Sequence, residues 1–208
     1  MKLHLGCGNK KIAGMVNIDS VLSCQPDLLH DLAKPLPYQD LSIDEILAED
    51  LLEHFDKYMR FIVLGDWVRV LKIGGIITLR VPNFQKILFR YFKFNFDNFV
   101  DFLFGENLWH SEVYSGHFGM HKWGYSEESL KKFVEQFGCE SVEVKKIGLN
   151  LRLVAKKVKH ISVHELDEIM IYSFANQSGP GPGSVSLKFV RSRIEEFQRE
   201  SGNGSRTK

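Results

Sequence analysis

Leu3-His4-Leu5-Gly6-Cys7-Gly8-Asn9 decides the reading of this chain. A short apolar run ends directly on two glycines, where a backbone without side chains lets a ligand approach closely. The dinucleotide-binding pattern would continue to a third glycine and a full helix, with an acid about 20 residues further on. Here Lys11 occupies the third-glycine position, and Asp19 follows Gly8 by only eleven residues. The ten residues from Gly6 to Met15 fall short of the dozen or so that a helical crossover needs. No long helix N-terminus is then at hand for a pyrophosphate, which disfavours a nicotinamide oxidoreductase. A ligand with a nucleoside and no phosphate fits better, its ribose hydroxyls reaching the Asp19 carboxylate. The competing reading of Asp19 is a surface acid at a strand end.

Outward from this turn, short runs rich in Val, Ile and Leu alternate with helical patterns, as in a parallel sheet with covering helices. Strands are predicted at 1–5, 15–18, 45–48 and 75–81, the last ending at Pro82 because proline cannot donate to the ladder. Residues 57–71 show helical spacing, with Phe61, Leu64, Val68 and Leu71 on one buried face and Lys72-Ile73-Gly74-Gly75 as the stop. Ser126 is the expected N-cap of a helix carrying Leu130, Phe133, Val134 and Phe137 and ended by Gly138. Strands at 141–147 and 151–157, joined by Gly148-Leu149-Asn150, read as an antiparallel pair at a sheet edge. Beyond residue 160 follow an apolar run at 169–174, a Gly- and Pro-dense stretch at 178–184 and a helical pattern at 185–200.

Composition narrows the function classes. With 208 residues the chain suits one domain, and 27 basic residues intermixed with 26 acidic ones create no field to attract nucleic acid. Cys7, Cys24 and Cys139 form an odd set without a C-x-x-C pair, so neither a disulfide framework nor a zinc knuckle is expected. The first residues reach glycine too soon for a signal-peptide core, and no stretch approaches the roughly 18 apolar residues of a membrane span. A cytoplasmic protein is the resulting expectation.

Leu5-Gly6-Cys7-Gly8, Val16-Asn17-Ile18-Asp19, His30-Asp31-Leu32, Leu36-Pro37, Leu52-Glu53-His54 and Val70-Leu71-Lys72-Ile73-Gly74-Gly75 together resemble the class I S-adenosylmethionine (SAM)-dependent methyltransferases of the type 11 group. The resemblance runs over residues 1–157 in the family's order, and Ile73 stands where that family more often has proline. It implies an α/β, Rossmann-like fold: a mostly parallel twisted sheet with a C-terminal antiparallel hairpin and helices on both faces. It also implies SAM as cofactor and S-adenosyl-L-homocysteine as product. Gly6, Cys7 and Gly8 would face the methionine part, Asp19 the ribose, Asp31 and the Leu32 backbone the adenine, and Glu49 would line the same pocket. For Asp31 an Asx turn before Ala33-Lys34-Pro35 is the alternative on local chemistry. Residues 1–158 would form the methyltransferase domain, with 83–125 as an acceptor or lid insertion. Residues 159–200 would be an extension packing on the domain or a partner subunit, and 201–208 a disordered tail.

Methyl transfer from a sulfonium is an in-line displacement, so the protein supplies mainly alignment and desolvation. A hydroxyl acceptor would also need a group to take its proton, and His54, His117 and His121 are the candidates. His117 and His121 are four apart, but Gly116 and Gly119 argue against a helix there and no third ligand is evident, so no metal is expected. The run His121-Lys122-Trp123-Gly124-Tyr125 resembles a segment of sugar- and polysaccharide-modifying relatives, which points to a small-molecule acceptor such as a sugar or glycan precursor. Residues 84–105 hold 8 of the 16 phenylalanines and must cover something apolar. One or two helices over the strand ends are predicted, with Tyr91, Phe96 and Trp109 offering flat surfaces, or else plain core or a contact with a second copy of the chain. Lys86, Arg90 and Lys93 beside that face are too few to argue for a membrane surface. The rival class is a non-catalytic SAM-binding or scaffold protein of the same fold, whose glycines and acids would be expected to be damaged.

Overall fold

The computed structural model describes residues 1–91, 96–104, 120–162 and 165–169, with positions 192, 195–197 and 199. Seven strands form one sheet: β1 (Lys2–Leu5), β2 (Val16–Asp19), β3 (Leu28–Leu29), β4 (Ile43–Glu49), β5 (Leu71–Pro82), β6 (Cys139–Ile147) and β7 (Asn150–Lys157), in the order β3-β2-β1-β4-β5-β7-β6. The first five pair in parallel. β7 runs antiparallel to both β5 and β6, so the C-terminal hairpin enters the sheet with β6 at its edge. This is the mostly parallel α/β sheet that the sequence predicts. From β1 the chain winds to β2 and β3 on one side, then crosses to β4 and β5 on the other. The crevice beyond the carboxyl ends of β1 and β4 is therefore the topological switch point, where open α/β sheets bind ligands.

The short step from β1 to β2 works without a helix because one side chain replaces it. Asn17, 3 % exposed, accepts the Ile12 N–H at 2.8 Å and donates to the carbonyls of Ile12 and Met15 and to Asp27. These bonds satisfy a loop backbone that would otherwise lie unpaired against the sheet.

The helices with defined bounds are α1 (Met59–Val70), α2 (Phe84–Tyr91), α3 (Phe96–Phe104) and α4 (Glu127–Glu135), and residues 165–169 are helical as well. α1 departs from the predicted stripe, since every residue from Arg60 to Val68 is buried. Its outer side is covered by α4, through Phe61 edge-on to Phe133 at 4.8 Å, and by Leu166, which lies close over Gly65. A helix enclosed on all sides has no solvent-facing polar side, and its polar members Arg60 and Asp66 are buried with the rest. Its C-terminal carbonyls are capped by Lys157, which is fully buried and donates to Val68 O at 2.6 Å and Leu71 O at 2.8 Å. A cation there complements the negative end of the helix dipole. α4 starts as expected on Ser126, which accepts the Ser129 N–H in a reciprocal capping box.

α2 and α3 realise the two helices predicted for the phenylalanine-rich segment, touching through Phe84 and Phe99. Among the described residues no helix is long and apolar enough to cross a membrane.

Candidate cofactor and acceptor site

The glycine turn closes β1 in a left-handed bend, with φ of 64° at Gly6 and 49° at Gly8, a region that suits glycine because a Cβ would clash there. Asp19 at the end of β2 binds this bend directly: one carboxylate oxygen accepts the Gly8 N–H at 2.8 Å and the other the Val21 N–H at 3.0 Å. Cys7 N–H donates across to Ile18 O at 3.1 Å, so β1, β2 and the turn are locked together. Asp19 is only 2 % exposed. Its first task is thus to hold the turn, which a surface acid at a strand end would not do. Cys7 is buried, and that burial, with the neighbouring Asp19 charge, pushes its thiol up to about 11.

Across the crevice β4 ends at Glu49. Burial alone would raise its carboxyl, but Lys10 at 2.7 Å and Arg80 hold it below the usual range. Asp50 follows with φ of 51° and pairs with Arg80. Beyond this turn the Leu51 methyl groups lie against Gly6, about where its side chain would begin (3.0 Å). The bare bend is therefore contacted by an aliphatic side chain that no local pattern of residues places there.

Asp31 is exposed, and its carboxylate accepts the Ala33 N–H at 2.9 Å. That is the Asx turn of the alternative reading, while Leu32 is buried beside it.

The acceptor side gathers around the one-turn 3-10 segment Leu52–His54. His54 Nδ1 meets the Met120 carbonyl at 3.0 Å, His121 Nδ1 meets the Phe102 carbonyl at 2.8 Å, and the two imidazoles lie 5.2 Å apart. His54 and His121 thus come together although 66 residues separate His54 from its Met120 partner. Burial lowers both imidazoles, His54 to about 4, with His121 adding to that shift. Glu53 is 1 % exposed; its main-chain carbonyl accepts the N–H groups of Lys122 and Trp123, yet neither carboxylate oxygen has a hydrogen-bond partner among the described residues. Burial raises that carboxyl well above the usual range. The same loop is anchored by Arg60, whose guanidinium lies 4.0 Å from the centre of the Trp123 ring and 4.4 Å from that of Phe133. Gly124 leaves room for the Phe84 ring, which a Cβ would meet at 2.6 Å.

His117, Trp109 and Lys93, and the side chain of Phe96, lie outside the described residues, as do the runs 178–184 and 201–208. Sequence reasoning left Glu53, Leu51 and Asn17 without roles. Glu53 carried a signal, an acid between Leu52 and His54 in an otherwise apolar turn, but its isolation from any donor is a tertiary property.

No protein-family model matches the chain, and no curated protein matches it. Solved structures do resemble it. A SAM-dependent methyltransferase of Thermotoga maritima is 15 % identical, with 75 % of this chain and 81 % of that one covered and a TM-score of 0.53. One from Methanosarcina mazei is 18 % identical over 76 % of this chain and 92 % of its own, with a TM-score of 0.51. The 1,6-didemethyltoxoflavin N1-methyltransferase of Burkholderia thailandensis, solved with S-adenosylhomocysteine, is 14 % identical over 76 % and 71 %, with a TM-score of 0.51. At these identities the likeness is one of fold: the sheet is that of class I SAM-dependent methyltransferases.

Proposed function

We propose that this chain binds SAM in the crevice between β1 and β4 and transfers its methyl group to an oxygen or nitrogen of a small molecule, with a sugar or glycan precursor as the favoured acceptor. The observation that carries the reading is the left-handed Gly6–Gly8 bend held by Asp19 at the switch point, in a fold shared with SAM-dependent methyltransferases. The type 11 resemblance and the run from His121 to Tyr125 motivate the acceptor class.

SAM brings an already activated methyl group, so the chain's work is to seat it and exclude water. In this reading Gly6, Cys7 and Gly8 border the methionine part, Asp19 the ribose, Asp31 and Leu32 the adenine, and Glu49 lines the wall. Leu51 must turn away from Gly6 to admit the ligand, a rotation rather than a backbone change. On the acceptor side, an imidazole whose pKa lies near 4 is a weak proton acceptor at neutral pH. His54 therefore serves better to orient an acceptor than to deprotonate it, and alignment bears most of the rate enhancement.

Calorimetry with SAM and S-adenosylhomocysteine tests the cofactor half; absence of binding at millimolar ligand would sink it. Radiolabelled methyl transfer over pooled sugars and glycan precursors tests the other half. Binding without transfer to any pooled metabolite would favour a non-catalytic member of the fold.

A further inference from the structure

We infer that Glu53, His54 and His121 form a binding site for a divalent first-row transition-metal ion, independent of the SAM reading. One ligating atom from each of the three lies within 4.8 Å of the others. Carbonyl oxygens only accept, so the contacts of His54 Nδ1 with Met120 O and of His121 Nδ1 with Phe102 O fix the proton of each ring on Nδ1. Nε2 of both rings is then an unprotonated lone pair, the tautomer in which metal-ligating histidines are held by a carbonyl behind them.

The third member is the Glu53 carboxylate, buried and without a hydrogen-bond donor among the described residues. Two imidazoles and a carboxylate thus share one locus, buried at Glu53 and part-buried at the two histidines, and the free atom of each is an acceptor when the carboxylate is ionised. Such a set repels itself unless a cation or a proton enters. Of the cations of this region, Arg80 attracts the Glu53 carboxylate but is paired with Asp50 and Glu49, and Arg60 is occupied with the rings of Trp123, Phe133 and Phe61. Two imidazoles and one carboxylate suit Zn²⁺, Fe²⁺ or their neighbours better than Mg²⁺ or Ca²⁺, which prefer all-oxygen shells. Bonds of about 2.1 Å in a tetrahedral site put ligand atoms roughly 3.4 Å apart. Closure from 4.8 Å therefore asks for side-chain rotations of about an ångström.

The ion would tie the segment after β4 to the loop at 120–125 and, through the Phe102 carbonyl, to α3, leaving a coordination position for water or an acceptor oxygen. Glu53, 68 positions before His121, would be the carboxylate ligand of this set.

The test uses the full chain, stripped with chelator and titrated with Zn²⁺ and Co²⁺ without SAM. Expected are one equivalent of Zn²⁺ per chain by elemental analysis after dialysis and a visible Co²⁺ absorption of tetrahedral or five-coordinate type. Affinity should fall at least about 100-fold in Glu53→Gln and in His121→Ala. Glu53→Gln keeps the shape of the side chain and decides the matter if His121→Ala does not fold, as judged by circular dichroism. Failure of the wild type to retain Zn²⁺, or Zn²⁺ retention equal to wild type in Glu53→Gln, overturns the site. Because SAM is absent throughout, neither outcome is confounded with the cofactor proposal.

Discussion

Two acids near the same edge of the sheet are treated in opposite ways. Asp19, at the end of β2, is buried with a backbone N–H on each oxygen. Glu53, one short turn beyond β4, is buried with no hydrogen-bond donor among the described residues. Burial of an ionised group is costly unless hydrogen bonds or an opposite charge replace its water. Asp19 is therefore part of the architecture whether or not a ligand is present, whereas Glu53 is an incomplete arrangement. The proposed cofactor edge is pre-organised by its own backbone, and the proposed acceptor edge asks for something more.

The largest expected effect tests this contrast by sign. Asp19→Ala removes the acceptor of two part-buried N–H groups and should lower the stability of the free protein by about 3 kcal/mol, since hydrogen bonds to charged groups contribute roughly 1.5–3 each. The same variant should lose at least about 100-fold in S-adenosylhomocysteine affinity. Glu53→Met, by contrast, replaces an unpaired acid with an apolar side chain of similar length and should stabilise metal-free protein by about 1–3 kcal/mol. Urea unfolding of both variants measures the two changes. A destabilised Glu53→Met would mean that the carboxyl group has a partner, and the contrast would fail.

Next in size is Lys157→Met, a buried charge of the opposite sign that resembles Asp19 in being fully engaged. Without its ammonium the Leu71 carbonyl loses a donor and the Val68 carbonyl at the end of α1 keeps only the Leu71 N–H, and stability should drop by about 2 kcal/mol. A change below about 0.5 kcal/mol would show that these carbonyls are satisfied otherwise.

How much of this was legible beforehand follows the same division. The turn at Gly6 and Gly8, the acid at 19, the cap at Ser126 and the hairpin at Gly148 are local features, each written in a few adjacent residues, whereas the strand order and the two-residue β3 are set by pairing across the sheet. α1 looked amphipathic because only its apolar positions were counted, whereas its polar members Arg60 and Asp66 are also buried: Arg60 among aromatic rings, Asp66 by Arg69 and the Leu36 N–H. Asn17 as a substitute for a crossover helix depends on side-chain geometry within a short loop, and the meeting of Glu53 and His54 with the distant His121 depends on contacts that no sequence window contains.

Leu51 offers a smaller and sharper probe of the cofactor edge. Its methyl groups lie against Gly6, so a ligand seated as proposed has to displace them. Leu51→Ala should raise S-adenosylhomocysteine affinity about fivefold, on the order of 1 kcal/mol, while half-buried packing lost in the free protein costs a similar amount of stability. Unchanged affinity by calorimetry would place the ligand elsewhere than over Gly6.

The smallest effect expected is chemical rather than energetic. Cys7 stands inside the glycine turn, yet burial and the Asp19 charge move its thiol up to about 11, and burial alone moves Cys139 up to about 12. A raised thiol pKa keeps the sulfur protonated well above neutrality, and the thiolate is the reactive form. In native protein near pH 8, a disulfide reagent such as Ellman's should therefore leave both thiols unmodified over minutes, and denaturation should release all three cysteines. Rapid modification of Cys7 alone would mean that the turn opens on its own, so that Asp19 holds it far less firmly than the static hydrogen bonds imply. The distinction between the pre-organised edge and the incomplete one would then narrow from the cofactor side.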